Sequence, residues 1–288
     1  MFNVLVTGSN GQLGSEIREL SSSYKYNFFF TSKDELDISN ENSVESFVKL
    51  NSIDTIINCA AYTAVDRAEE EVQISTEINH YGLKSLARIS SDNGIKLVHI
   101  STDYVFDGKN YRPYIETDIT NPQSVYGQTK LDGEKELLAI NPENSIIIRT
   151  SWVYSSFGNN FVKTMLRLGK ERDELGVIFD QVGTPTYARD LAQTILNILP
   201  NIKNADVEIF NYSNEGVLSW YDFAKEIMKM AKIECAIKPI ETKDYPTPAT
   251  RPHYSLLNKS KIKSYYNIVI PFWKDSLKEC LVKLGEKR

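Results

Sequence analysis

The segment Val4-Leu-Val-Thr-Gly8-Ser-Asn-Gly11-Gln-Leu-Gly14 decides the fold of this chain. An apolar run leading into glycines spaced G-x-x-G-x-x-G is typical of a strand, a tight turn and a helix. The first glycine permits the turn, the second lets a pyrophosphate approach the backbone, and the third lets helix and strand pack closely. Amides at the start of such a helix face the phosphates. The segment therefore predicts a dinucleotide-binding turn, although an ordinary strand-helix turn would also accommodate these glycines.

Apolar runs alternate with amphipathic stretches through the first half of the chain. The apolar runs predict strands at 4–7, 28–30, 55–58, 97–100 and 146–149. The amphipathic stretches predict helices at about 12–22, 41–50, 71–93 and 124–140. Such alternation indicates a parallel sheet covered by helices on both faces, and the continuous apolarity of the runs agrees with burial on both sides. We therefore predict an α/β fold with a Rossmann-type doubly wound parallel sheet.

The pattern becomes looser after about residue 150. It predicts helices near 159–172, 187–199, 219–232 and 272–285, and short strands at 176–180, 208–212 and 236–240. We predict a dinucleotide-binding domain at 1–150 and a smaller α/β substrate-binding lobe that occupies most of 151–288. Because no Pro/Gly-rich linker or composition shift marks a boundary, some later segments are expected to return to the first domain.

Composition and charge exclude several classes of protein. The chain has 38 Asp and Glu against 33 Lys and Arg, so it has no basic excess that would neutralise a phosphate backbone, and we expect no nucleic-acid partner. No apolar run approaches the roughly 20 residues that span a bilayer, and no charged leader precedes the first strand, so we expect a cytoplasmic protein without a membrane partner. Cys59, Cys235 and Cys280 lack C-x-x-C spacing, which argues against a disulfide framework or zinc site, and all three are interpreted as small buried apolar groups.

The stretch Tyr126-Gly-Gln-Thr-Lys130 places a phenol and an amine one helical turn apart. The fourth predicted strand ends at Thr102, and the carboxyl ends of parallel strands are where such sheets bind ligands. Thr102, Tyr126 and Lys130 can therefore converge around one carbonyl. Thr102 would hydrogen-bond the oxygen, Tyr126 would deliver a proton, and Lys130 would hold a nicotinamide ribose and lower the pKa of the phenol. His99, within the fourth strand, is interpreted as a satisfied core imidazole rather than a base.

The end of the second predicted strand bears on the choice of cofactor. It reads Phe30-Thr-Ser32-Lys33 and lacks an acidic residue that would grip a ribose 2′-hydroxyl and repel a 2′-phosphate. NADPH is therefore at least as plausible as NADH. Asp37-Ile38 would either contact the adenine or form a loop cap before the next helix. The consecutive alanines that follow Cys59 suit close approach of the cofactor to the backbone.

Several longer segments carry a resemblance that covers nearly the whole chain. They include Asn58-Cys-Ala-Ala-Tyr-Thr-Ala-Val-Asp66, Ser101-Thr-Asp-Tyr-Val-Phe-Asp-Gly108, Arg149-Thr-Ser-Trp-Val-Tyr154 and Asp180-Gln-Val-Gly-Thr-Pro-Thr186. With these segments the chain resembles the extended short-chain dehydrogenase/reductases, and within them the dTDP-4-dehydrorhamnose reductases. The glycine turn and Tyr-x-x-x-Lys are general to the superfamily, whereas the second and third segments are far more specific.

The resemblance implies reduction of the C4 ketone of dTDP-4-dehydro-L-rhamnose to dTDP-L-rhamnose with NADPH or NADH, as a step towards polysaccharides. It implies that Thr102, Tyr126 and Lys130 are catalytic. The cofactor contacts that it implies are Gly8, Asn10, Gly11, Gln12, Leu13, Gly14, Asp37, Ile38, Ala61, Tyr62, Thr63, Tyr126 and Lys130. The substrate contacts that it implies are Thr102, Asp103, Tyr104, Trp152 and Arg251.

Two of these substrate contacts have physical support and a competing interpretation. The aromatic face of Trp152 suits stacking on a sugar or base, and it would equally suit burial between two lobes. The planar fork of Arg251 suits a diphosphate, and it would also suit a surface salt bridge.

The resemblance also bears on metal binding and assembly. Some family members are described as dimers held partly by magnesium at acidic side chains. Glu16 matches one of these acidic positions, but Arg189 stands where a second carboxylate is expected. Because a cation is poorly held beside Arg, we predict no bound magnesium and favour a monomer over a homodimer.

Two other functions remain open at this point. One is a non-catalytic NADP-binding regulatory subunit, similar to that of methionine adenosyltransferase. The other is a nucleotide-sugar epimerase or dehydratase on the same scaffold. Dehydratases usually add a second carboxylate after the acidic residue at the strand end, whereas here Tyr104 follows Asp103.

Overall fold

A six-stranded parallel sheet forms the centre of the fold in the computed structural model, which describes residues 2–286. The strands are β1 Asn3–Thr7, β2 Asn27–Thr31, β3 Thr55–Asn58, β4 Lys96–Thr102, β5 Ile146–Thr150, β6 Val153–Tyr154, β7 Glu174–Ile178, β8 Val182–Gly183, β9 Thr186–Tyr187, β10 Glu208–Asn211, β11 Leu218–Ser219 and β12 Ala236–Ile240. The helices are α1 Gln12–Leu20, α2 Glu41–Leu50, α3 Val65–Ala68, α4 Val72–Thr76, α5 Gly82–Asn93, α6 Val125–Ile140, α7 Phe161–Glu171, α8 Ala188–Ile198, α9 Trp220–Ala231, α10 Ser260–Tyr266 and α11 Trp273–Lys283. The central sheet has the order β10-β5-β4-β3-β1-β2, which confirms the predicted α/β fold with its Rossmann-like parallel sheet.

The strand order places a crevice at the carboxyl ends of β1 and β3. The chain leaves β1 towards β2 on one side and crosses back to β3 on the other, and ligands of open α/β sheets bind where the order reverses. Gly8 follows β1 with a φ of 61°, a conformation that side chains rarely adopt. A Cβ atom on Gly8 would lie 2.6 Å from the backbone nitrogen of Ala60, so the two loops touch at this point.

Helices cover both faces of the sheet. On one face Val4 and Val6 of β1 belong to a buried cluster with Ile17 of α1 and Leu191 of α8. On the other face Leu5 belongs to a cluster with residues of α2, α5 and α6. Because α8 comes from the second half of the chain, both halves build the first cluster.

A third cluster belongs to the second half of the chain. It is built from buried residues of α7, α9 and α11, such as Val162, Phe223 and Leu277, and packs beside the parallel pair β7 and β12. The strand predicted at 208–212 lies elsewhere, because β10 pairs with β5 at the edge of the central sheet. A later segment therefore does return to the sheet that the first half builds.

The helix predicted at 71–93 is interrupted by a π turn at Glu77–Tyr81 between α4 and α5. Asn79 lies in this turn, and its side chain holds the loop after β3: Oδ1 accepts from the backbone N–H of Tyr62 at 2.9 Å, and Nδ2 donates to the Tyr62 carbonyl at 3.1 Å. α10 was not predicted. Within residues 2–286, no helix is both long and apolar enough to cross a membrane.

A buried ion pair joins α6 to the sheet. Arg149 of β5 donates from Nη2 to Glu134 Oε2 at 2.6 Å and from Nε to Glu134 Oε1 at 3.0 Å. Both side chains are almost fully buried, with 3% and 1% exposed. The hydroxyl of Ser101, at the end of β4, also donates to Glu134. The ion pair thereby fixes α6 against β4 and β5.

We expect Glu134→Ala to lower the free energy of unfolding by about 3–5 kcal/mol, because it leaves the Arg149 guanidinium buried without a counter-charge. Urea denaturation measures this loss. The matched control is Glu171→Ala, which breaks a pair with Arg167 whose side chains are 53% and 61% exposed. The control should lose no more than about 1 kcal/mol, and equal losses in the two variants would contradict the structural role of the buried pair.

Candidate active site

A cleft of about 340 Å³ opens at the carboxyl ends of β1, β2 and β3. It is lined by Gly8, Asn10, Gly11, Ser32, Lys33, Asp34, Leu36, Asp37, Ile38, Cys59, Ala60, Ala61 and Ile78. The structure thus brings together six of the predicted cofactor contacts, which are Gly8, Asn10, Gly11, Asp37, Ile38 and Ala61. Glycine and alanine make the floor of the cleft, so a ligand can approach the backbone there.

The other predicted cofactor contacts do not line this cleft. Leu13 and Gly14 are buried in α1, where they pack the helix against the sheet. Gln12 reaches the second half of the chain, because its Oε1 accepts from Asn160 Nδ2 at 3.0 Å. The Tyr62 hydroxyl donates to Glu71, and Thr63 is exposed.

Asp37 both caps its loop and lines the cleft, so the two interpretations of its position are compatible. Its Oδ1 accepts from the backbone N–H of Ser39 at 3.0 Å and from the Ser39 hydroxyl at 2.7 Å, as a loop cap does. The same residue lines the cleft beside Ile38. The cap therefore holds Asp37 at the wall of the cleft.

An acidic side chain that was not considered in the choice of cofactor lies near the end of β2. Glu35 turns back, and its Oε2 accepts from the backbone N–H of Ser32 at 2.7 Å and from the Ser32 hydroxyl at 2.8 Å. These hydrogen bonds, with the nearby Arg18 cation, lower the pKa of Glu35 despite some desolvation. The segment 30–33 itself has no acidic residue, but Glu35, only three residues after Ser32, folds back onto the end of β2. A charged carboxylate therefore occupies both donors of Ser32.

Thr102 and Tyr126 lie close to each other beyond the end of β4. The Thr102 hydroxyl donates to Asp103 Oδ1 at 3.0 Å. Turned towards Tyr126 instead, the same hydroxyl lowers the pKa of the phenol. Tyr126 lies in the first turn of α6, which Ser124 caps by accepting from the backbone N–H of Gly127 at 3.2 Å. Gly127 is required because a Cβ atom there would collide with the carbonyl of Tyr104.

The pKa of Tyr126 is raised, which corrects the expectation that Lys130 lowers it. Burial is the main cause and brings the pKa to about 12, and the Asp103 carboxylate adds to the increase. Lys130 is engaged elsewhere: its Nζ donates to the Ile100 carbonyl at 2.7 Å and lies 3.1 Å from His99 Nε2. Burial lowers the pKa of Lys130 itself to about 8. In this state Tyr126 retains its proton at neutral pH.

His99 is the satisfied core imidazole that the sequence predicted. It is 1% exposed, and its second ring nitrogen, Nδ1, lies 3.0 Å from Asn58 Nδ2. Burial and the Lys130 charge lower its pKa well below the ordinary value.

A second cavity, of about 590 Å³, is lined by residues of the second half of the chain together with Tyr104. Three of the predicted substrate contacts line it, namely Tyr104, Trp152 and Arg251. The Tyr104 ring meets the Tyr126 ring edge to face at 5.4 Å, so the cavity adjoins the Tyr126 phenol. Asp103 is 2% exposed, and burial raises its pKa to about 7.

Trp152 and Arg251 each have a partner that the sequence analysis missed. Trp152 stacks on Trp220 at 3.6 Å with an angle of 11° between the rings, and its φ of 49° is unusual for a bulky residue. Arg251 donates to both carboxylate oxygens of Asp66, at 3.0 and 2.7 Å. Both residues still face the cavity. Trp220, at the start of α9, and Asp66, after β3, are evident in the sequence. Their spacing does not predict that they pair with Trp152 and Arg251, respectively.

The surroundings of Glu16 do not suit a divalent cation. Its carboxylate is fully buried and accepts from the Ser155 hydroxyl at 2.6 Å, from Arg189 Nη1 at 3.3 Å and from Lys283 Nζ at 3.2 Å. Two cations therefore already compensate it, and a metal beside them would be repelled. Across residues 2–286, no group of three or more His, Cys, Asp or Glu side chains is arranged to hold a metal ion.

The three cysteines are free thiols, but they are less uniform than predicted. Cys280 is buried, whereas Cys59 and Cys235 are only partly buried. Cys59 is partly exposed because it lines the first cleft.

Comparison with known proteins gives a consistent result. The family described as RmlD substrate binding domain matches residues 2–285. The dTDP-4-dehydrorhamnose reductase of Aggregatibacter actinomycetemcomitans is 41% identical, over 96% of this chain and 98% of that protein. A crystal structure of a dTDP-4-dehydrorhamnose reductase from Clostridium acetobutylicum is 43% identical with a TM-score of 0.94, covering 99% of this chain and 100% of that one. One from Bacillus anthracis, in complex with NADP, is 37% identical with a TM-score of 0.93, covering 98% and 100%.

We expect Glu35→Gln to raise the preference for NADPH over NADH. The uncharged amide would no longer repel a 2′-phosphate, so the ratio of kcat/KM for NADPH to that for NADH should rise roughly two- to fivefold. Steady-state kinetics with each dinucleotide measure this ratio. Glu45→Gln is the matched control, because Glu45 pairs with Lys49 on the surface of α2. An unchanged or lower ratio in Glu35→Gln would disprove the role of Glu35.

Proposed function

Because this chain belongs to the dTDP-4-dehydrorhamnose reductase family, we propose that it reduces the C4 ketone of dTDP-4-dehydro-L-rhamnose to dTDP-L-rhamnose with NADPH or NADH. The observation that carries this proposal is that Thr102 lies close enough to Tyr126 to lower the pKa of its phenol, and that the Tyr126 ring packs against Tyr104 of the second cavity. Two hydroxyls next to each other suit one carbonyl oxygen, which accepts two hydrogen bonds.

The residues present fit a dinucleotide. The absence of a Cβ atom at Gly8, where one would collide with Ala60, keeps the backbone of both loops accessible from the cleft. Gly8, Gly11 and Ala61 would hold the phosphates and ribose, and Ile38 would provide an apolar wall. Lys130 would contact the nicotinamide ribose. When bound, the reduced cofactor supplies a hydride to the carbonyl carbon.

Tyr126 is suited to donate the proton that completes the reduction. A phenol with a pKa of about 12 is protonated at neutral pH, and the ketone oxygen becomes strongly basic as the carbonyl is reduced. Tyr126 would transfer its proton to this oxygen, and Thr102 would turn its hydroxyl from Asp103 to the same oxygen. The charge that develops is thereby stabilised in a site from which water is largely excluded.

The second cavity has groups suited to a nucleotide sugar. The indole of Trp152 offers an apolar face to a pyranose or a base. Arg251 offers a guanidinium to the diphosphate, although it must then share that guanidinium with Asp66. Buried Asp103 and Tyr104 would contact the sugar beside Tyr126.

The proposed division of labour follows the two cavities. Residues 1–150, joined by α8 and β10, would bind the dinucleotide, and most of 151–288 would bind the substrate. We also propose that the protein acts in the cytoplasm as a monomer, on a free nucleotide sugar, and without a nucleic-acid or membrane partner. The acidic charge balance and the compensated Glu16 support these assignments.

Tyr126→Phe should reduce turnover about 10²- to 10⁴-fold, the range for loss of a general acid, while dinucleotide affinity changes little. Oxidation of NADPH and NADH with dTDP-4-dehydro-L-rhamnose measures turnover, and fluorescence titration measures affinity. Tyr111→Phe is the control, because Tyr111 is 92% exposed.

Full turnover in Tyr126→Phe would refute the role of the phenol. Absence of turnover in the unaltered protein, with dinucleotide still bound, would support a regulatory subunit instead. A dinucleotide that stays bound through purification and is regenerated in each cycle would support an epimerase or dehydratase.

Removal of divalent cations should change neither assembly nor turnover, because Arg189 and Lys283 already compensate Glu16. Sedimentation velocity should give one species of monomer mass with EDTA or with added magnesium. A dimer that dissociates in EDTA would contradict both the monomer and the absence of a magnesium site.

A further inference from the structure

A chain of buried polar groups leads from Lys130 into the core of the sheet. Lys130 Nζ lies 3.1 Å from His99 Nε2, and His99 Nδ1 lies 3.0 Å from Asn58 Nδ2. Asn58 Oδ1 accepts from the Thr7 hydroxyl at 2.6 Å. These four side chains come from α6, β4, β3 and β1, and none is more than 1% exposed. The proposed reduction assigns no role to His99, Asn58 or Thr7.

The orientation of the Asn58 amide is fixed by its neighbours. Its Oδ1 accepts both from the Thr7 hydroxyl and from the backbone N–H of Ala60, at 3.2 Å. A backbone N–H can only donate, so the oxygen of the amide must face Ala60. The Asn58 NH₂ group therefore faces His99 Nδ1 and donates to it.

This orientation determines the tautomer of His99. Because Nδ1 accepts a hydrogen bond, it carries no proton, and the neutral imidazole must carry its proton on Nε2. The Nε2–H then faces Lys130 Nζ and requires a lone pair there. An ammonium group has three donors and no lone pair, whereas an uncharged amine has one. The amine can accept from His99 and still donate to the Ile100 carbonyl.

We propose that, in the cofactor-free protein, Asn58 and His99 are positioning residues whose hydrogen bonds favour the uncharged amine of Lys130 over its ammonium form. For Lys130 to become an ammonium, the His99 proton must move to Nδ1 and the Asn58 amide must turn over. That rotation places the Asn58 NH₂ group against the Ala60 N–H, where two donors meet. The charge on Lys130 is thus coupled to the His99 tautomer.

The other charged and titratable groups near Lys130 do not override the coupling between the Lys130 charge and the His99 tautomer. Glu134, one turn farther along α6, favours the ammonium, but its charge is compensated by Arg149 of β5. Tyr126, one turn earlier, is uncharged at neutral pH because burial raises its pKa. His99 is kept neutral by burial. The pKa of Lys130, lowered to about 8, places the transition within reach of experiment.

The coupling bears on the reaction because a cation beside a phenol lowers the pKa of the phenol. Asn58 of β3 and His99 of β4 line neither cavity. They would nevertheless set how readily Tyr126 releases its proton. This consequence rests on the proposed function. The tautomer itself does not, and it can be measured without substrate or cofactor.

Nitrogen NMR of the free protein, labelled with ¹⁵N in its histidine rings, tests the proposal. The chain has three histidines, so three imidazole patterns are expected, and His80→Gln and His253→Gln identify those of the two histidines that are not buried. At a pH above the pKa of Lys130, His99 should be the Nε2–H tautomer. As the pH falls through about 8, it should change to the Nδ1–H tautomer without becoming an imidazolium.

Asn58→Asp is the sharpest variant, because a carboxylate of the same shape only accepts hydrogen bonds. It can still accept from Thr7 and Ala60, and it requires a proton on His99 Nδ1. We expect the Nδ1–H tautomer to persist to a higher pH than in the unaltered protein, so that the midpoint of the tautomer transition rises by about one pH unit or more. Lys130→Met removes the titrating partner, so His99 should remain the Nε2–H tautomer at every pH.

Three results would overturn the proposal. They are an Nδ1–H tautomer of His99 above the pKa of Lys130, an unchanged tautomer in Asn58→Asp, and a transition that persists in Lys130→Met. If Asn58→Asp fails to fold, as thermal unfolding would show, the titrations of the unaltered protein and of Lys130→Met decide. An inactive enzyme with the expected tautomers would count against the proposed reduction and leave this inference intact.

Discussion

The buried ion pair between Glu134 and Arg149 is the interaction on which the geometry of the site depends. Glu134 lies on α6, the helix that carries Tyr126 and Lys130, and Arg149 lies on β5. Ser101, next to Thr102, donates to the same carboxylate. The pair therefore sets the height and rotation of α6 relative to the end of β4. Burying the two charges has a desolvation cost. The attraction within the pair offsets this cost only because several hydrogen bonds satisfy both groups.

Small residues provide the complementary constraint, since they let loops come close enough for the site to form. Gly8 touches the loop after β3, and Gly127 lies against the carbonyl of Tyr104. These contacts join segments that are distant along the chain and were not predicted, but the turn at Gly8 was, because a glycine at a strand-helix turn has a local cause. For the same reason the five strands of the first half, and the meeting of Thr102 with Tyr126, followed from apolar runs and helical spacing.

What the sequence could not supply were relations between residues that are distant along the chain. The pairing of Arg251 with Asp66 and the place of β10 in the central sheet depend on tertiary packing. The pKa of Tyr126 was predicted in the wrong direction because spacing reveals a neighbouring amine but not burial, which is the larger effect here. The π turn around Asn79 was missed because it preserves the amphipathic pattern of a continuous helix.

The stacked indoles of Trp152 and Trp220 give the chain an intrinsic optical reporter. They are two of its three tryptophans, and the third, Trp273, is buried in the core of the second half. A pyranose that settles against Trp152 must alter the overlap of two electronically coupled chromophores. Their joint emission and near-ultraviolet dichroism therefore carry information about occupancy of the cavity, with Trp273 as a constant background.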